Sequence, residues 1–112
     1  MVVGVYGTLK RGYSNYLFME RAGGDYIANA ETVDKYPMYQ HGIPFLMEEK
    51  GLGHHVALEL FDVQDISPLD YLEGHPHLYK RKQIETTGGL AWVYFYQGDS
   101  IGMGKPIKIY NE

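Results

Sequence analysis

Glu73 lies in the stretch Leu69-Asp70-Tyr71-Leu72-Glu73-Gly74-His75-Pro76, where Leu69 and Leu72 share one helical face and turn toward a core. The carboxylate beside them stands at the helix end, where the negative pole of the helix dipole opposes its charge by about 0.3–1 kcal/mol. Partial burial adds to that opposition and raises its pKa. Both effects suit a group that takes up and returns a proton near neutral pH. The competing reading is a solvated surface residue, the common state of a Glu at a helix end. Tyr6-Gly7-Thr8-Leu9 offers the complementary chemistry. A sharp exit from a strand through small residues lets backbone N–H groups converge on an anion or a developing oxyanion. Here the competing reading is a plain turn, with Gly7 relieving a positive φ.

Other polar clusters carry less. His41, His54, His55, His75 and His77 supply five imidazoles. Adjacent His on a strand point to opposite faces, however, and the Pro-flanked pair lies in a loop, so the expectation is surface or hydrogen-bonded His and no metal site. Gly102-Met103-Gly104-Lys105 lacks the glycine spacing and the Ser/Thr of a phosphate loop. Around Tyr79, alternation along a strand sends Tyr79 and Arg81 to one face and Lys80 and Lys82 to the other. Arg81 can then brace the Glu73 region, or it can pair with acids across the sheet. The eleven Tyr are expected mostly within sheets, with an interaction surface as the alternative.

Composition narrows the chemistry. The chain has no Cys, which removes thiol nucleophiles, thiolate zinc, iron–sulfur clusters and disulfides, so any catalysis must use oxygen or nitrogen groups. Ten Lys and Arg against fourteen Asp and Glu leave a formal charge of −4, which argues against nucleic acid as a partner. No apolar run approaches the roughly 20 residues needed to cross a bilayer, and the first residues enter a strand without a leader-like pattern. A soluble, cytoplasmic protein is the expectation. At 112 residues, one domain spanning 1–112 is expected, large enough for a core without staples.

The elements that must position these residues follow from periodicity and punctuation. Met1 to Tyr6 reads as a buried strand, and Tyr16 to Ala22 as a short helix capped by Ser14 or Asn15 and stopped by Gly23-Gly24. Strands are predicted over Tyr26 to Val33, Tyr36 to Gln40, Ile43 to Glu48 and His55 to Val63. Ser67-Pro68-Leu69-Asp70 predicts a helix of two turns at most, with Ser67 as its cap, Pro68 in the first turn and Glu73 or Gly74 at its end. Tyr79 to Thr86 and Leu90 to Tyr96 form a hairpin about Gly88-Gly89, and Pro106 to Tyr110 supplies a last strand. Together these predict an α+β fold, a small mixed β-barrel, closed or nearly closed, with two short flanking helices.

Val5-Tyr6-Gly7-Thr8-Leu9-Lys10-Arg11-Gly12, followed by Leu69-Asp70-Tyr71-Leu72-Glu73-Gly74-His75-Pro76-His77-Leu78-Tyr79-Lys80-Arg81, resembles the gamma-glutamylcyclotransferase-like family. Ile43-Pro44-Phe45-Leu46 and Gly51-Leu52-Gly53-His54 look most like its gamma-glutamylamine cyclotransferase branch. The resemblance implies a small mixed barrel and conversion of a gamma-glutamyl compound into 5-oxoproline with release of the attached amine, without metal or cofactor. It further implies that Tyr6, Gly7, Thr8 and Leu9 hold the glutamyl part through their backbone and that Glu73 is the catalytic acid/base, with Tyr79 and Arg81 in support. The expected partner is a small gamma-glutamyl molecule such as γ-glutamyl-ε-lysine, and the expected state is monomer or homodimer. The chain ends at Glu112, before the C-terminal tail of many relatives, so part of the leaving-amine pocket is expected to be missing or supplied by another subunit. The alternatives are a non-catalytic binding module on the same fold and hydrolysis of another small amide.

Overall fold

The Val-rich opening segment forms β1 (Val2–Val5), which becomes the central strand because both of its faces are covered. The computed structural model describes residues 1–100 and 102–112. After β1 come α1 (Tyr16–Arg21), β2 (Asp25–Glu31), β3 (Met38–His41), β4 (Ile43–Leu46) and β5 (Ala57–Asp62). The chain continues through α2 (Ser67–Glu73), β6 (Tyr79–Thr86) and β7 (Gly89–Tyr96). The main sheet runs β2-β5-β1-β7-β6; β1 pairs antiparallel with β5 and parallel with β7, and β3 and β4 form a separate hairpin.

Alternation decides which side chains meet. On one face Val3, Val5 and Phe61 pack with Met19 of α1 and Leu69 of α2, and the two helices lie against each other. On the other face Leu58, Leu60, Val93 and Phe95 pack with Met38 and Leu46 of the hairpin and with Tyr110. Leu69 is fully buried and is the main anchor of a helix too short to persist alone. Leu69→Ala is expected to cost about 2–5 kcal/mol, read as a drop in the urea midpoint at unchanged slope.

Three expectations need correction. The five strands form an open sheet rather than a closed barrel. Its outer strands β2 and β6 meet only at one corner, where Thr32 bridges Thr86 and the Thr87 amide donates to the Glu31 carbonyl at 2.9 Å. The strands that would have completed a barrel lie elsewhere: β3 and β4 pair with each other, and Pro106 to Tyr110 is not a strand. That segment contributes one bridge, in which Ile107 donates to the Met38 carbonyl at 2.7 Å, and a Lys108 carbonyl that accepts from the Ala57 amide at 3.1 Å. Pro106 has no N–H with which to extend such a ladder.

Neither predicted helix cap forms as expected. Asn15 occupies the cap position of α1, but its side-chain amide donates to Thr8 Oγ1 at 3.0 Å instead of capping. At α2 the cap position falls to Ile66, and Asp65 Oδ1 accepts from the Ser67 amide at 3.0 Å. Asp70, although in the first turn of α2, turns its carboxylate to Arg81 and Tyr94. Among the described residues no helix is long and apolar enough to cross a membrane.

Candidate active site

The turn after β1, the end of α2 and the β3–β4 hairpin enclose a cavity of ≈ 170 Å³. Tyr6, Gly7, Thr8 and Leu9 form one wall, Glu73 and Leu72 a second, and Ile43 and Pro44 a third, with Leu78, Tyr79 and Tyr94 alongside. The two segments that the sequence singled out, more than sixty residues apart, therefore face one space.

The turn is built rigidly. Lys10 donates its amide to the Gly7 carbonyl at 3.1 Å, while Asn15 binds Thr8 twice, amide to carbonyl at 2.9 Å and side chain to side chain at 3.0 Å. Tyr6 donates its hydroxyl to the Tyr94 carbonyl at 2.7 Å. The amides of Gly7, Thr8 and Leu9 donate to no acceptor among the described residues. A run of free N–H groups in a turn that lines a cavity is of the kind that can receive an anionic oxygen. Gly7 does not have the positive φ expected of it. Its role is space: a Cβ there would lie 2.6 Å from Pro44 Cγ.

Glu73 ends α2 because Gly74 takes the left-handed conformation at φ 63°, and the His75 amide closes the turn on the Asp70 carbonyl at 3.0 Å. Glu73 is largely buried and lines the cavity. Burial pushes its pKa up to about 7, and no cation or hydrogen-bond donor counters the shift. Burial raises the phenol pKa values of Tyr6, Tyr79 and Tyr94, the Asp70 carboxylate adds to the shift at Tyr94, and the nearby charge of Glu73 adds to all three. All three hydroxyls are occupied as donors: Tyr6 as above, Tyr79 to the Pro44 carbonyl at 2.9 Å and Tyr94 to Asp70 Oδ1 at 2.7 Å. Among the described residues lining the cavity, Glu73 alone has a pKa near neutrality.

Arg81 does not reach Glu73 directly. Its guanidinium forks onto Asp70, Nε to Oδ1 at 3.0 Å and the second nitrogen to Oδ2 at 3.2 Å, one helical turn before Glu73. Asp70 and Tyr94 were not expected in this role. The available signal was the i, i+3 spacing of Asp70 and Glu73, which puts both on one helical side, together with the strand alternation that aligns Arg81 with Tyr79. Pro44 was also missed as a wall of the turn, since nothing local in Ile43-Pro44-Phe45 announces its contact with Gly7. The imidazoles are used singly: His55 Nδ1 lies 3.1 Å from the Thr32 carbonyl, and His75 Nδ1 accepts from the Arg81 amide at 3.2 Å. Among the described residues no three His, Asp or Glu converge as metal ligands.

Residues 3–110 match the family model described as gamma-glutamyl cyclotransferase, AIG2-like. The chain belongs to that family. Within it, a Vibrio cholerae protein provisionally assigned as a gamma-glutamylcyclotransferase is 38% identical over 100 residues, covering 86% of this chain and 82% of that one. The gamma-glutamylaminecyclotransferase of Rattus norvegicus is 35% identical over 89 residues, covering 72% of this chain and 60% of the rat protein. The crystal structure of an AIG2-like protein from Mus musculus superposes with a TM-score of 0.88 at 26% identity, covering 98% of this chain and 87% of the mouse chain. In this member of the gamma-glutamyl cyclotransferase, AIG2-like family, the Tyr6–Leu9 turn and Glu73 face each other across one cavity.

Proposed function

We propose that the protein is a gamma-glutamyl cyclotransferase that acts on gamma-glutamylamines. The observation that carries this reading is Glu73, a carboxyl with its pKa raised to about 7 by burial, lining one small cavity with a turn whose Gly7, Thr8 and Leu9 amides have no acceptor among the described residues. Family membership supports the reaction class.

In this reading the free amides of Gly7, Thr8 and Leu9 hold the glutamyl part, and the cavity folds its chain so that the α-amine approaches its own γ-carbonyl. Pairing two reacting groups in this way reaches effective molarities on the order of 10⁵ M or more, so no protein nucleophile is needed. Glu73 takes a proton from the α-ammonium, the freed amine attacks the γ-carbon, and the new C–N bond closes the lactam. The old C–N bond then breaks as Glu73 passes its proton to the departing nitrogen, and the ring nitrogen gives up a second proton that ends on the released amine. Over the whole reaction two of the three ammonium hydrogens end on the amine that leaves, and one stays on the lactam nitrogen.

The walls also bear on the leaving group. Ile43, Pro44, Leu72 and Leu78 are apolar, and among the described residues no Lys, Arg or His lines the cavity. An amine that begins with methylenes fits these walls, whereas an α-amino acid would bring a second carboxylate next to the breaking bond with no cation to meet it. Purified protein is therefore expected to form 5-oxoproline from γ-glutamyl-ε-lysine with a kcat/KM at least about tenfold above that for γ-glutamyl-alanine, measured by mass spectrometry. Free glutamate as the product would make the protein an amide hydrolase. Binding of either compound without any product would make it a binding module.

A further inference from the structure

Asp70 has an unusual concentration of partners for a carboxylate next to a cavity that it does not line. It receives both arms of the Arg81 guanidinium, at 3.0 and 3.2 Å, and the Tyr94 hydroxyl at 2.7 Å. Its own carbonyl accepts the His75 amide at 3.0 Å, closing the end of α2. Arg81 is held from other sides as well, with its guanidinium 5.1 Å from the Trp92 ring and its backbone amide on His75 Nδ1 at 3.2 Å. Tyr94 faces Arg81 across the β6–β7 ladder and forms part of the cavity wall beside Glu73. Three elements, α2, β6 and β7, thus meet on this one side chain.

We infer that Asp70 is a positioning residue, whose bidentate pairing cancels the charge of Arg81 and whose bond to Tyr94 fixes the cavity wall, so that Glu73 one turn later meets substrate without a competing cation. The inference rests on the reading of Glu73 given above. Glu73 faces Tyr6 from the turn after β1, Tyr79 from β6 and Tyr94 from β7, with Asp70 on its own helix, Arg81 on β6 and His75 just beyond the helix end. Of the neighbours that carry charge at neutral pH, Asp70 and Arg81 form a closed pair. A planar fork meeting a carboxylate edge-on is also the geometry that best suppresses the outward field of a guanidinium. A surface ion pair made for stability alone would need neither the third bond from Tyr94 nor this location.

The test reads the Glu73 carboxyl directly, by 13C NMR titration of the folded protein without substrate. Asp70→Asn leaves the Arg81 cation unmatched and is expected to lower the Glu73 midpoint by about one pH unit, what one unit charge does from about 12 Å at an effective dielectric near 20. Arg81→Gln leaves the Asp70 anion unmatched and is expected to raise the midpoint by a similar amount. The double variant Asp70→Asn with Arg81→Gln restores neutrality and is expected to return the midpoint to within about 0.3 units of the parent. The single variants should also lose at least about tenfold in kcat, with the pH limb of kcat/KM moving in step with the NMR midpoint. If Asp70→Asn does not fold, Arg81→Gln and the double variant decide the matter. A Glu73 midpoint that stays put in whichever single variants fold, or a double variant that keeps a single variant's shift, would overturn the inference. Absence of 5-oxoproline from every gamma-glutamyl compound with the parent protein would instead sink the proposed activity, while the titration still reports on the clamp.

Discussion

Glu73→Gln is expected to fold normally, to be more stable than the parent above neutral pH and to lose kcat/KM for 5-oxoproline formation by about 10²–10⁴-fold. Two consequences of one cause underlie this. Burial without a compensating partner raises the pKa of the carboxyl from an ordinary 4.5 to about 7, which equips it to exchange a proton with an amine at neutral pH and makes its charged form costly in the folded state. Because the folded pKa lies above the unfolded one, the native protein binds the extra proton between the two values, and stability falls as pH rises through that window. The contribution is fully present below about 4.5 and gone above about 7, a difference of about 3 kcal/mol. Glutamine has the same shape and no charge to desolvate. Urea unfolding at pH 5 and pH 8 should therefore show a decline for the parent that the variant lacks. Activity follows the opposite slope, since a base must be ionised to accept the ammonium proton, and kcat/KM of the parent should climb through a limb at about pH 7. A Gln variant with unchanged turnover would remove Glu73 from the chemistry. One that is inactive yet keeps the pH-dependent loss of stability would show that another group bears the burial penalty.

What could be read from the sequence divides along the line between local and distant forces. The β6–β7 hairpin was legible because two strand-like runs, Tyr79 to Thr86 and Leu90 to Tyr96, flank the glycines at 88 and 89. Helix α2 was legible because Pro68 sets its first turn and Gly74 its last, which in turn placed Glu73 at a helix end beside buried Leu69. The facing of Glu73 and the Tyr6–Leu9 turn was expected only through a family resemblance, because the order β5-β1-β7 that brings them together depends on pairings more than fifty residues apart. No periodicity encodes a choice of that kind. The fork between Arg81 and Asp70 escaped notice for a related reason: each residue has an adequate local explanation, one as a strand-face cation and the other as a first-turn acid. The predicted closure of the barrel counted strands correctly in part but assumed that all of them share one sheet, whereas the β3–β4 hairpin folds on itself and becomes a wall of the cavity.

That hairpin makes Gly7 the second position where a small change should have a large effect. Gly7→Ala is expected to destabilise the protein by about 1–3 kcal/mol and to raise KM for the glutamyl substrate, with Gly7→Val worse in both respects. The reason is contact and not backbone strain, since Gly7 lies outside the left-handed region. The added Cβ would sit 2.6 Å from Cγ of Pro44, nearer than real Cβ atoms approach, and 3.5 Å from its Cδ. Pro44 has little room to retreat, because its carbonyl accepts the Tyr79 hydroxyl at 2.9 Å and its strand is registered against Gln40 in β3. The turn must then move, and with it the Gly7, Thr8 and Leu9 amides on which substrate binding is proposed to depend. This account makes a further demand. Pro44→Ala removes Cγ and Cδ and leaves only its Cβ, 3.8 Å from the new methyl, an ordinary contact. Combined with Gly7→Ala it should recover most of the lost stability, by urea unfolding, and part of the lost affinity, by KM for γ-glutamyl-ε-lysine. If Gly7→Ala were as stable and active as the parent, the turn would not be pressed against the hairpin. If the loss of affinity persisted after Pro44→Ala while stability recovered, the clash would not be its cause, and the requirement for glycine in binding would lie in how closely the substrate itself approaches the backbone.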